Sequence, residues 1–395
     1  MPYYRDLFRQ IGFQPEKVVH DHRYFLDLPF LTKDIIREQG DRLLNEAIPK
    51  AEMIERKTGA STGPSTLIYY SREALDWTAA VNLFCLEGAG KTRVKKEVHL
   101  ASRFPEAFPV KDRFREMVKC AALNRSNIFT DSLDDENLER IWRRLRRFKP
   151  FLLQGHPSTT YALARFVMLR GYDTSGVLQV FESTGELLDE KKRRTIEEAF
   201  KCRVINRYGN AELGIVAYEQ NHDYRRWMKV MDFIAWPEIS KDADGADELI
   251  LTGLTNPGMP LIRYRSGDLG ELVTEPDGVY LKKVTGRVHD VVRIGNRAYP
   301  THYIQDLLDK MGGIVEFQIE QTAEVEIRLR LVLEASAPEK EIADRVSQWW
   351  GDKVGVDFVN ISDLKRRGRL GKFHYLIRAD RNDGPEQDPD ACPIR

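Results

Sequence analysis

The sequence predicts an α/β fold. It has a large first domain with mainly parallel sheets and a β-rich subdomain, followed by a small α+β domain. Three observations predict it. Apolar runs and amphipathic stretches alternate between residues 136 and 209, the pattern of helices crossing over a parallel sheet. From about Asp247 the texture changes to short strands broken by Gly, Pro and Asp turns. After Arg287 a strand–helix–strand–strand–helix–strand order fills roughly 100 residues, enough for a separate domain. The expected boundaries are 1–286, 287–378 and a polar, Pro-rich tail over 379–395.

Taken in order, the first ~55 residues read as helical with polar breaks. Thr32 caps a helix starting at Lys33. "AEMIERK" and "TLIYY" read as strands, and Ser71 caps the helix "REALDWTAAVNLFCLEG". The middle then gives helix "ENLERIWRRLRRFKP", strand "FLLQ", helix "TTYALARFVMLR", strand "GVLQVFEST", helix "LLDEKKRRTIEEAF" and strand "CRVINRYG". Ligands of such sheets sit beyond the carboxyl ends of the strands, where "STGE" and "YGNAE" lie. "ELILTGL", "PLIRYRSGDLGELV" and "GVYLKKVTG" are the strands of the β-rich part. The paired Trp349 and Trp350 are read as packing the second helix of the small domain.

The 395 residues include 42% hydrophobic and 10% aromatic residues, enough for a sizeable interior, and the 61 basic and 61 acidic residues cancel. A global field favouring nucleic acid or anionic membrane is therefore excluded. The basic run from Arg140 to Lys149 reads as a solvated helix face. No apolar run approaches the ~18 residues of a membrane span, and the first residues carry charges where a leader needs an apolar stretch. A soluble, cytoplasmic protein is expected. Cys85, Cys120, Cys202 and Cys392 lack metal-ligand spacing and read as free thiols.

"KTGASTGPST", Lys57 to Thr66, is too polar and flexible for core. Its backbone amides and hydroxyls suit phosphate oxygens, though taken alone the loop is better explained as an exposed hairpin turn. "CLEGAGKT", Cys85 to Thr92, approaches the Walker pattern, but Cys85 replaces the first glycine and the stretch follows a helix. It reads as a helix end and polar turn.

Five motifs in order carry a resemblance. "KTGASTGPST", "RYGNAELG" (207–214), "MPLIRYRSGDLG" (259–270), "TGRVHDVVRIGNRAYP" (285–300) and "RLGKF" (369–373) resemble the phosphate loop, Tyr-Gly-x-x-Glu motif, Gly-Asp motif, hinge and C-terminal Gly-Lys motif of the adenylate-forming superfamily. "LPFLTKDIIR", "QGHPS", "STGE" and "NPGMPLIRYRSGD" are similar to its phenylacetate–CoA ligase branch, CapK-like proteins included. Ala60 stands where the loop usually has glycine, Pro64 follows Gly63 directly, and His289 replaces the usual acidic or lysine hinge residue.

The resemblance implies that a carboxylic acid is activated with ATP and Mg²⁺ to an acyl-adenylate, then passed to CoA. It assigns Ser61, Thr62, Gly63 and Thr66 to the β- and γ-phosphates and Glu212 to Mg²⁺. Tyr208, with Gly209, lies against adenine. Ser183, Thr184, Gly185 and Glu186 line the nucleotide pocket, and Asp268 accepts from the ribose hydroxyls. Arg287 touches ribose or phosphate, and Lys372 bridges the attacking carboxylate and the α-phosphate. His289 and Asp290 form the hinge. His156, Phe181, Asn210, Ala211 and Gly214 border the acid pocket.

Each residue also has a structural reading: Glu212 as a helix-start carboxylate, Asp268 as a turn aspartate, Tyr208 as strand core, Lys372 as a solvated cation. An amide-forming ligase, with a sugar or amino acid amine as acceptor, is the alternative within enzymes. A catalytically silent nucleotide-binding protein is the alternative outside them. A homodimer is compatible with the sequence, and nucleic acid is not an expected partner.

Overall fold

The computed structural model describes residues 1–57, 66–101, 110–129, 133–220, 225–241, 247–287, 291–294, 297–301, 304, 307–308, 311–321, 327–367 and 372–378. The chain divides into two compact units, Met1–His289 and Asp290–Arg395.

The first unit opens with α1 (Pro2–Ile11), α2 (Lys17–His20) and α3 (Lys33–Gln39). The Tyr4 hydroxyl donates to the Pro260 carbonyl at 2.9 Å, tying α1 to a segment far along the chain. Thr32 caps α3, its hydroxyl accepting from the Ile35 amide at 3.2 Å. β1 (Ile54–Lys57) pairs antiparallel with β2 (Leu67–Tyr70), Ile54 opposite Tyr70. Ser71 then caps α4 (Arg72–Gly88) through the Ala74 amide. Such a cap contributes about 1 kcal/mol.

The next elements alternate: β3 (Glu97–Ala101), α5 (Val110–Ala122), β4 (Arg125–Phe129), α6 (Asp135–Phe148), β5 (Leu152–Gly155), α7 (Pro157–Leu169), β6 (Val180–Ser183), α8 (Glu190–Phe200) and β7 (Arg203–Asn210). β4, β3, β5, β6 and β7 pair parallel in that order. Strands covered on both faces need apolar side chains throughout, and Leu152, Leu153, Val180 and Phe181 are buried accordingly. α6 buries Leu138, Ile141, Trp142 and Leu145, while Arg143 on its outer face pairs with Glu139.

β8 (Gly214–Glu219), β9 (Met228–Val230), β10 (Ala235–Lys241), β11 (Asp247–Gly253), β12 (Tyr264–Glu275) and β13 (Gly278–Arg287) follow. All join antiparallel. The β-rich part therefore continues the parallel part in one sheet, of order β10-β11-β12-β13-β9-β8-β7-β6-β5-β3-β4 among the described residues. β7 is the strand where parallel pairing gives way to antiparallel. Leu43, Ile68, Leu152 and Tyr264 are wholly buried within the core that this sheet shares with the N-terminal segments.

The second unit holds the hairpin β14 (Val291–Ile294) and β15 (Arg297–Pro300), then β16 (Ile314–Gln321), β17 (Ile327–Leu333), α9 (Glu339–Trp350), β18 (Val354–Phe358), β19 (Arg366–Arg367), β20 (Lys372–Phe373) and β21 (Leu376–Arg378). Its main sheet has the order β18-β17-β16-β21. α9 supplies Ile342, Val346 and Trp350 to the core above Phe317, Ile319 and Leu329. Trp349 meets Trp350 edge-on, ring centroids 5.4 Å apart.

Candidate active site

The turn between β7 and β8 is built to project Glu212. A Cβ on Gly209 would stand 2.4 Å from the Gly214 carbonyl oxygen, so only glycine lets the two strands approach this closely. Gly214 has φ +79°, which favours glycine again. The Asn210 side chain accepts from the Leu213 amide at 2.8 Å, and the Tyr70 hydroxyl donates to the Ala211 carbonyl at 2.6 Å. Glu212 is held almost fully buried. Its Oε1 accepts from the Tyr264 hydroxyl at 2.8 Å and lies 3.8 Å from Lys33 Nζ. Burial, first, and the Glu212 charge together push the Tyr264 pKa up, so this phenol stays a donor.

Tyr208 and Asp268 are joined directly, the phenol donating to Oδ2 at 2.8 Å with both residues buried. The Asp268 amide donates to Ser266 Oγ at 3.1 Å, and Asp268 stands opposite Arg287 in the β12–β13 pairing. Tyr208, Asp268 and the Arg287 backbone are thus brought together, and Glu212 shares the turn that follows Tyr208.

The end of β6 forms a second cluster. Thr184 donates its amide to the Gly155 carbonyl at 3.1 Å, and its Oγ1 accepts from Arg207 Nη2 at 2.9 Å. Arg207 pairs with Glu182 at 2.8 Å, and Glu182 has no exposed surface. The same carboxylate accepts from Gln154 at 2.6 Å and from the Tyr218 hydroxyl at 2.8 Å. A buried carboxylate requires such partners. Ser183 Oγ is buried with no hydrogen-bond partner among the described residues. Glu186 turns toward the start of α7: its Oε2 accepts from the Ser158 amide at 3.1 Å, and Oε1 lies 3.6 Å from His156 Nδ1. That placement suits a carboxylate at a helix N-terminus and joins Glu186 to His156. Phe181 is wholly buried in the sheet core.

α3 reaches both ends of the site. Besides Lys33 at Glu212, Arg37 Nη1 donates to the buried Thr66 Oγ1 at 3.3 Å. Ser61, Thr62 and Gly63 lie outside the described residues, as do Ala60, Pro64, His289 and Asp290. In the second unit, Lys372 sits on β20 with its backbone opposite Arg367 of β19. The buried side chain of Gln318, on β16, ties both arms of that hairpin. Its Nε2 donates to the Lys365 carbonyl at 2.7 Å and to the His374 carbonyl at 2.9 Å, and its Oε1 accepts from the Lys365 amide at 2.8 Å.

Sequence reading singled out neither Lys33, Arg207, Glu182, Tyr264 nor Gln318. One signal was available. A glutamate inside the short apolar strand "LQVFEST" and an arginine inside "VINRYG" are each costly to bury alone, so each implies a partner. Lys91 of the near-Walker stretch is buried and lies 3.6 Å from Glu97. Cys85 and Cys202 are buried free thiols whose pKa values burial pushes up to about 12, which suits packing and not nucleophilic chemistry.

Among the described residues no three His, Cys, Asp or Glu converge as a metal cage. Mg²⁺ does not need one, since it is commonly held by one or two carboxylates with substrate phosphates and water. Glu212, approached by Tyr264 and Lys33 through one oxygen, fits that mode. No described helix is long and apolar enough to cross a membrane.

No protein-family model matches the chain. It is 25% identical over 328 residues to Protein CapK of Staphylococcus aureus, covering 81% of this chain and 72% of that one. It is 24% identical over 326 residues to the phenylacetate-coenzyme A ligase of Pseudomonas putida, covering 78% and 71%. Its fold is similar to that of 2-hydroxyisobutyryl-CoA ligase in the postadenylation state with R3-HIB-AMP. The TM-score is 0.72 at 21% identity, covering 96% of this chain and 85% of that one.

Proposed function

We propose that the chain belongs to the adenylate-forming superfamily, of the phenylacetate–CoA ligase and CapK type that its relatives and fold resemble, and that it is an ATP-dependent carboxylic acid ligase. It activates an aryl or acyl acid as its adenylate and passes the acyl group to the thiol of CoA. The observation that carries this reading is the convergence around β7: Glu212 in the turn that follows it, Tyr208 bonded to Asp268, and Arg207 bonded to Thr184.

In the first half-reaction a carboxylate oxygen of the acid attacks the α-phosphorus of ATP. The bond from that phosphorus to the bridging oxygen breaks, and pyrophosphate leaves with the electron pair. In the second, the CoA sulfur attacks the acyl carbon, AMP departs, and the thiol proton goes to solvent. Mg²⁺, when bound, neutralises charge on the phosphates. Glu212 would hold it, and Ser61, Thr62, Gly63 and Thr66 would cradle the β- and γ-phosphates. Tyr208 and Gly209 form the adenine wall, and the 183–186 turn borders it. Asp268 accepts from the ribose, and Arg287 touches ribose or phosphate. Lys372 supplies the cation between carboxylate and α-phosphate. Asn210, Ala211, Gly214, His156 and Phe181 belong to the walls and supporting core of the acid pocket. Rotation of residues 287–378 about His289–Asp290 separates the two half-reactions.

The test is ATP–pyrophosphate exchange across aryl, fatty and amino acids, with Lys372→Ala as control. Exchange that needs one acid class and Lys372, followed by CoA-dependent AMP release, is the expected result. AMP release that responds to amines and ignores CoA would make the acceptor an amine. Nucleotide binding without exchange for any acid would overturn the ligase reading.

A further inference from the structure

Arg207 was given no catalytic or ligand-binding role above, yet its guanidinium is closely held beside the nucleotide turn. Nη1 meets Glu182 Oε1 at 2.8 Å and Asn82 Oδ1 at 3.3 Å, while Nη2 donates to Thr184 Oγ1 at 2.9 Å. Glu182 is itself immobilised by Gln154 and Tyr218. The group is anchored from β5, β6, β8 and α4 at once, so its direction is fixed before any ligand arrives. Charge balance alone does not require the Thr184 contact, since Glu182 already supplies the counter-charge.

A threonine hydroxyl has one proton and two acceptor lone pairs. Where Oγ1 accepts from a guanidinium, which can only donate, the hydroxyl proton must point elsewhere. Thr184 is half-buried at the tip of β6, just before Gly185, whose φ of +80° turns the chain. We infer that Arg207 is a positioning residue for the nucleotide: it locks the Thr184 hydroxyl as a donor toward an acceptor atom of bound ATP, acyl-adenylate or AMP. This rests on the proposed nucleotide site. It adds a polar chain, Gln154–Glu182–Arg207–Thr184, that runs from the sheet interior to that site.

Lysine at 207 keeps the charge against Glu182 but cannot fork to Thr184. Valine at 184 keeps the shape and loses the hydroxyl, while serine keeps it. Calorimetric titration with AMP, and with ATP in the absence of acid, reads the consequence. Thr184→Ser should bind as the wild type does. Thr184→Val and Arg207→Lys should each bind about tenfold more weakly, the loss of one hydrogen bond. The double variant should be no weaker than either single one, because both remove the same contact. In exchange assays the KM for ATP should rise while the KM for the acid stays put. A purely structural role for Arg207 would lower the melting temperature and leave nucleotide affinity of the folded protein unchanged. That result, wild-type affinity in Thr184→Val, or additive losses in the double variant would each overturn the inference. If Arg207→Lys does not fold, Asn82→Ala serves instead, since it releases one anchor of the guanidinium without touching charge. Unchanged affinity there is equally fatal. A wild-type chain that binds neither ATP nor AMP would sink the nucleotide site itself and the inference with it. Binding by the wild type and all variants alike would sink the inference only.

Discussion

The phenol of Tyr208 donates a 2.8 Å hydrogen bond to Oδ2 of Asp268, 60 residues further on. Tyr208 lies on β7 and Asp268 on β12, four steps apart in the sheet order. Flat, those steps would separate the strands by roughly 19 Å. A direct bond therefore requires the antiparallel half of the sheet to curl, bringing the Gly-Asp segment of β12 close to the Tyr-Gly end of β7. Tyr264 reaching Glu212 is a second contact across the same fold-back.

Tyr208→Phe tests that relationship. The ring remains, so stacking area is kept, but a buried carboxylate oxygen loses its donor. The expected cost is about 1–3 kcal/mol of stability, read as a lower denaturation midpoint, with AMP binding weakened by under tenfold. Asp268→Ala should weaken AMP binding more, since it also removes the proposed ribose contact. Equal affinity in both variants would separate Asp268 from the nucleotide.

Glu212→Gln preserves shape and the Tyr264 hydrogen bond while removing the charge. Loss of a preorganised charge-stabilising group commonly costs about 10²–10³ in rate. Exchange activity should fall in that range, with a higher Mg²⁺ concentration needed for half-maximal activity. Activity within threefold of wild type at low Mg²⁺ would remove Glu212 from the metal site.

How far the sequence could be read depended on the range of each interaction. The alternation of strands and helices, the caps at Thr32 and Ser71, and the glycines flanking Glu212 are local choices, and local residues announce them. The joining of the parallel and β-rich parts into one sheet through β7 is not local: no residue in "VINRYGN" signals that one neighbour will be parallel and the other antiparallel. The site divides the same way. Glu212, Tyr208 and Asp268 stand in motifs, whereas Lys33 and Gln318 act across large sequence separations from segments that look like ordinary helix and strand. Glu182 and Arg207 were legible in principle, because each is a charge within an apolar strand.

Gln318→Leu separates the hairpin of Lys372 from the rest of the second unit. Three hydrogen bonds to the backbone of Lys365 and His374 are lost, and the β16–β17 pairing remains. With Lys372 in its proposed role, exchange should drop at least tenfold. Acyl transfer from chemically prepared adenylate to CoA, and AMP binding, should stay near wild type. A parallel fall in both half-reactions would mean that Gln318 supports the unit generally and not the hairpin.

Acid sensitivity should trace to His99 and Glu97 on β3. The His99 ring lies 2.5 Å from Glu97 Oε1, and Arg125 and Lys91 also face that carboxylate. Asn127 and Gln154 stand beside His99 on the neighbouring strands. Burial is the largest influence on His99 and lowers its pKa below the ordinary 6.5, with Arg125 adding to it and Glu97 opposing. Burial also works to raise Glu97, but His99, Arg125 and Lys91 outweigh it and hold its pKa below 4.5. Just below pH 6.5 the unfolded chain takes up a proton at His99 that the folded chain refuses, so stability falls as pH falls from there toward the lowered histidine value. Glu97 contributes stability that is fully present above its ordinary value and lost only as pH drops from 4.5 through its lowered one. His99→Gln keeps a donor to Glu97 and removes the titration. Melting temperatures between about pH 4 and 8 should therefore lose the upper part of their acid slope in this variant and keep the lower part. A slope unchanged below pH 6.5 would show that another group carries the histidine window.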